Sequence, residues 1–172
     1  KYTYYTTARD AAGNESGKLK FKTLQGDVTA PVNGALTLLD KKYESNTAGG
    51  IDLVVTFSIN QATDIAGSDE VAGGPSGVKL YTLQYRKLAA DGNEVWVTVK
   101  TFDDSVFSDG KFEYTTAGID TRDIPANSNG ECPTYWRLCV EDKAGNTATT
   151  DITTIIAMQP GTITFPPAHM YA

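Results

Sequence analysis

The chain has 172 residues, 40% of them hydrophobic, with 15 Lys and Arg against 21 Asp and Glu and a net charge of −6. That length fits one domain with room for a second, incomplete unit. An acidic chain without a Lys/Arg block lacks the electrostatic footprint for phosphate backbones, which argues against nucleic acid as a partner, and no apolar run is long enough to span a bilayer.

Apolar residues recur with period two in short runs, the signature of strands, and no helical spacing persists over three turns. In chain order, "YTYYTTARDAAGN" (2–14) is an aromatic, alternating strand running into a turn. "KLKFKTL" (18–24) sets Lys18, Lys20 and Lys22 against Leu19, Phe21 and Thr23, the pattern of a half-buried strand with a protective lysine face. Seven strands are expected downstream. They are "ALTLLDKKY" (35–43), "GIDLVVTFSI" (50–59), "VKLYTLQYRK" (78–87), "EVWVTVKTF" (94–102), "KFEYTT" (111–116), "TYWRLCVE" (134–141) and "ATTDITTIIAM" (148–158). The second is the cleanest, with Ile51, Leu53, Val55, Phe57 and Ile59 on one side, and Asp91-Gly92 predicts a tight hairpin before the fourth.

Long Gly-, Asp-, Ser- and Pro-rich loops separate these strands, at 63–77 and within 102–131, and a Pro-rich tail or linker occupies 159–172. The fold class this predicts is all-β, an antiparallel β-sandwich. Cys132 and Cys139 bound an octapeptide too long to bridge when extended, so a disulfide would require a bend at Pro133; otherwise both are free thiols.

"RDAAGN" (9–14) and "EDKAGN" (141–146) align at an offset of 132 residues, which lays Tyr4 over Trp136 and Ala8 over Val140. In both copies a strand enters D-x-A-G-N and another leaves it, so the hexapeptide is a hairpin turn. Together with "DVTAP" (27–31), "VVTFSINQATD", "SGVKLYTLQYRK" and "GNEVWVTV", this order of motifs resembles fibronectin type III and bacterial immunoglobulin-like modules. The repeat exceeds the usual length of such modules, and the excess lies in the two long loops.

The resemblance implies a complete immunoglobulin-like sandwich over 27–158. Residues 1–26 would then be the last two strands, the F-G hairpin, of a preceding sandwich, or a segment for strand exchange with a neighbouring subunit. It implies a secreted or cell-surface structural or adhesive module, a spacer, stalk or filament subunit, with like modules or subunits as partners. It also implies calcium, with Asp10 and Asn14 converging on Asp27 at one junction, and Asp142 and Asn146 forming the equivalent site toward a following module.

Catalytic signals are sparse. His169 is the single histidine and sits in the tail, the loop pairs Asp69-Glu70 and Asp103-Asp104 read as solvation, and no nucleophile elbow, zinc-protease helix or phosphate loop occurs, so no enzyme is expected. The alternative is a carbohydrate-binding or accessory module using the long loops and stacking surface glycans on Trp96 and Tyr135, with Tyr171 a further exposed aromatic.

Overall fold

The computed structural model describes residues 2–24, 26–66, 74–88, 93–124, 129 and 132–157, with side chains described for most of them. Among the described residues every regular element is a strand except two single 3₁₀ turns at Asp104–Val106 and Thr121–Asp123, and no helix there is long and apolar enough to cross a membrane. The Asp91-Gly92 turn, the Asp69-Glu70 pair, His169 and Tyr171 lie outside the described residues.

A first two-stranded sheet joins β1 (Tyr2–Thr6) to β2 (Leu19–Leu24), antiparallel, with a register shift between Tyr4 and Tyr5. The alternation of β2 predicts a half-buried strand; instead Leu19 is 66% exposed, and Tyr4 and Tyr5 across the hairpin are also exposed. Two strands alone cannot cover either of their own faces.

The remaining strands form a β-sandwich. One sheet has the order β3 (Ala35–Ser45), β4 (Ile51–Asn60), β7 (Lys111–Thr115), with β8 (Ile119–Asp120) also pairing with β4. The other runs β10 (Thr147–Thr149), β9 (Cys132–Asp142), β5 (Val78–Leu88), β6 (Glu94–Phe102), with β11 (Thr153–Ala157) also on β9. All pairings are antiparallel. The last strand expected from the sequence is therefore two: β10 and β11 pair with successive stretches of β9, and Thr150 sits between them. Thr150 Oγ1 accepts the Leu138 N–H while its own N–H donates to the Leu138 carbonyl, so β9 stays satisfied across the break.

The alternating residues meet between the sheets. Leu53, Val55, Phe57 and Ile59 of β4, Tyr81 and Leu83 of β5, and Trp136 and Leu138 of β9 are all fully buried. Ile51, expected on the same inward row, is only half-buried at the start of β4. In β9 the pattern alternates strictly, buried at even positions from Cys132 to Asp142 and half-buried at odd ones. Both cysteines are free and fall on opposite parities of this extended strand, Cys132 inward and Cys139 outward, so no bend at Pro133 brings them together.

Buried polar groups in this core are paired. The Tyr81 hydroxyl accepts the Ala62 N–H at 3.0 Å and donates to Asp104 Oδ1 at 2.8 Å, and burial followed by the Asp104 carboxylate pushes its pKa upward. Asp104 thus has a structural partner, and Asp103 accepts the Ser105 N–H at 2.9 Å to cap the 3₁₀ turn. Tyr81→Phe strands the buried Ala62 N–H and removes the donor to Asp104. We expect it to cost about 1–3 kcal/mol, read as a lower urea midpoint with unchanged slope.

Candidate metal centre

The D-x-A-G-N turn is built twice with the same bonds. In the first copy Asp10 Oδ1 accepts the Asn14 N–H at 2.8 Å and Oδ2 accepts Asn14 Nδ2 at 2.8 Å. In the second, Asp142 Oδ1 accepts the Asn146 N–H at 2.8 Å and Oδ2 accepts Asn146 Nδ2 at 2.7 Å. Gly13 and Gly145 both adopt φ 92°, which a side chain would resist and which explains the glycine at the fourth position. Bonds from Asn14 hold the Asp10 carboxyl below its ordinary value.

What differs is the surroundings. Asp10 is exposed, whereas Asp142 ends the inward row of β9 and is fully buried. Around Asp142 two other carboxylates converge: one oxygen each of Asp27, Asp64 and Asp142 lie within 4.8 Å of one another. Asp10 and Asn14 are outside this cluster, and Asp142 and Asn146 face Asp27 of their own sandwich rather than forming a separate site of their own. Asn146 Nδ2 also reaches the Asp27 carbonyl at 3.3 Å.

Two loops and the end of β9 deliver these acids. Asp27 precedes the first strand of the sandwich, and its carboxylate accepts the N–H groups of Thr29 at 3.1 Å and Ser76 at 2.7 Å. Asp64 follows β4, and its Oδ2 accepts the Gly77 N–H and the Ser76 hydroxyl. Ser76 Oγ in turn accepts the Ala144 N–H at 3.2 Å, and the Lys143 N–H binds the Gly77 carbonyl at 2.9 Å, which ties the 74–77 segment to the turn.

The other oxygen of Asp64, Oδ1, is buried and has no hydrogen-bond partner among the described residues. Leaving a charged acceptor buried and unpaired is costly. Ion pairs among the described residues join Lys42 to Glu44, Lys79 to Glu141, Arg86 to Glu94 and Arg122 to Asp120; none involves Asp64 or Asp142. Lys143 brings its ammonium beside Gly77, 3.3 Å from where a Cβ would stand, one positive charge against three negative ones.

Like charges held within 4.8 Å of one another repel by at least roughly 3 kcal/mol per pair at an effective dielectric of about 20. A cation reverses the sign. Oxygens bound at ~2.4 Å from one calcium ion lie at most ~4.8 Å apart, and the three carboxylate oxygens fall within that limit. Three carboxylates and no sulfur or imidazole form a hard-cation donor set. A cleft of about 510 Å³, bordered by Gln61, Thr63, Asp64, Gly77 and Asp104, opens beside Asp64.

Asp64 was not among the candidate ligands singled out in the sequence, because "VVTFSINQATD", which it closes, was read for fold and not for chemistry. Its only signal is an acid at the end of the strand that precedes a long glycine-rich loop.

Trp96 and Tyr135 lie neither in the long loops nor in the core. Arg86 of β5 pairs in register with Trp96 of β6 on one side and with Tyr135 of β9 on the other, so all three side chains share the outer face of the larger sheet. Comparison with protein-family models, with curated proteins and with solved structures returns no match to this chain.

Proposed function

We propose that this chain is an extracellular structural module, a spacer, stalk or filament subunit without catalysis, whose sandwich is fastened at one end by a calcium ion held by Asp27, Asp64 and Asp142. The observation that carries this reading is the convergence of three carboxylates from the entry segment, the loop after β4 and the end of β9, one oxygen of which is buried without a donor. A single ion there cross-links segments that the chain otherwise joins only through hydrogen bonds.

The immunoglobulin-like, fibronectin type III-like identity of the sandwich is supported by its strand order. Three strands, β3-β4-β7, face a sheet of β10/β11-β9-β5-β6, and the D-x-A-G-N turn joins β9 to β10. The repetition of that turn at residues 10–14 supports an arrangement of like modules in series, with neighbouring modules or subunits as partners.

Calorimetric titration of the full chain with calcium should show one saturable site, absent from Asp64→Asn and retained by Asp10→Asn. No heat from the unmodified chain, or an equal loss with Asp10→Asn, would remove the proposal.

A further inference from the structure

The outer face of the larger sheet carries a second feature that the calcium reading leaves unused. Arg86 and Arg137 are interleaved with Trp96 and Tyr135 across three neighbouring strands. The Arg137 guanidinium carbon stands 3.9 Å from the Trp96 ring centroid, and that of Arg86 stands 4.0 Å from the Tyr135 ring centroid. Gln84 Oε1 accepts the Arg137 Nε–H at 2.9 Å, which fixes the guanidinium in place over the indole. All four side chains are half-buried, so they form an ordered surface rather than loose solvent-facing chains.

The two arginines differ in charge balance. Arg86 is neutralised by Glu94 at 2.7 Å. Arg137 meets no carboxylate among the described residues, and its terminal nitrogens have no described acceptor, although the chain as a whole is acidic. A guanidinium stacked, oriented and lacking a counter-ion is preorganised for bidentate binding of a carboxylate.

We infer that this face binds an acidic polysaccharide through its uronic acid residues. Along the row Tyr135, Arg86, Trp96, strands ~4.8 Å apart present aromatic, cationic and aromatic groups in turn. A carboxylate of the glycan takes the open fork of Arg137, and the parts of Trp96 and Tyr135 that the guanidinium planes leave uncovered offer apolar surface to the C–H groups of the flanking sugar. The inference is independent of the calcium centre, which is built from other loops.

The test is calorimetric titration of the full chain with a hyaluronan oligosaccharide, in parallel with its methyl ester and with polyglutamate. Saturable binding of hyaluronan, abolished by esterification and weakened roughly ten-fold by Arg137→Gln, is expected. Arg137→Lys, which keeps the charge and loses the planar fork, should weaken it as well, and Arg122→Gln should leave it unchanged. Matching melting temperatures of the variants establish that the loss is not unfolding. No binding, equal binding of the ester, indifference to Arg137→Gln, or polyglutamate binding as tightly as hyaluronan would overturn the inference, the last because it would make an acidic protein segment the partner.

Discussion

Chelation of calcium should lower the melting temperature of the chain by roughly 10 °C. An ion present at about 100 times its dissociation constant stabilises the folded state by ~2.7 kcal/mol, and a domain of this size shifts by about 4 °C per kcal/mol. Asp64→Asn sharpens the test because its effect should change sign with the metal. In calcium the variant loses a ligand and melts lower than the parent. In chelator it melts at or above the parent, because one member of a mutually repelling triad becomes neutral while the Asn side-chain oxygen can still accept from Gly77. Differential scanning calorimetry of both chains, with and without chelator, reads all four values. Identical curves for the parent in both buffers would dispose of the calcium centre.

Trp136→Ala should cost ~3–5 kcal/mol, enough to consume much of the stability of a typical domain. The Trp136 ring is fully buried, with its centroid 5.0 Å from that of Phe57 in the opposite sheet and 5.4 Å from that of Tyr85 on the neighbouring strand. Its Nε1–H donates to Thr134 Oγ1 at 2.9 Å, and the Thr134 hydroxyl donates to the Ile155 carbonyl, so the truncation opens a cavity and also loosens the seat of β11. The aligned residue in the first hairpin gives the control. Tyr4 is 52% exposed, and Tyr4→Ala should change stability by less than ~0.5 kcal/mol. Urea denaturation of both variants checks the contrast; comparable losses would mean that the hairpin is packed as firmly as the sandwich.

The strands of the sandwich were legible because one face of each is buried, and burial is what imposes period two. Leu53 to Ile59 and Trp136 to Val140 lie where their alternation places them. The first hairpin was legible as strands but not as an exposed sheet, since "KLKFKTL" reads the same whether or not something covers the apolar side of the strand. The break between β10 and β11 escaped for another reason: Thr150 pairs with β9 on both sides, and a β-rich run of threonines gives no turn signal there.

The cluster of carboxylates was half legible. Asp27, Asp142 and Asn146 were marked by motifs, but which turn meets which entry segment depends on long-range packing that local pattern does not encode. Asp64 joins them through the segment that enters β5, where Ser76 and Gly77 donate to its carboxylate and Ser76 also donates to Asp27. Trp96 and Tyr135 fall on strands, as read from the sequence, but their meeting on one outer face depends on the registers of β6, β5 and β9. Alternation within one strand does not say which face is outward when both carry large side chains, as β6 and β9 do.

The burial of Trp136 beside the half-exposure of Trp96 has an optical consequence. These are the only two indoles in the chain, one inside the core and one on the outer face under an arginine. Emission from the native chain is therefore the sum of two environments, and replacing Trp96 by phenylalanine leaves a single emitter between the sheets. The red shift of that emitter then reports the parting of the two sheets, free of anything that happens on the surface.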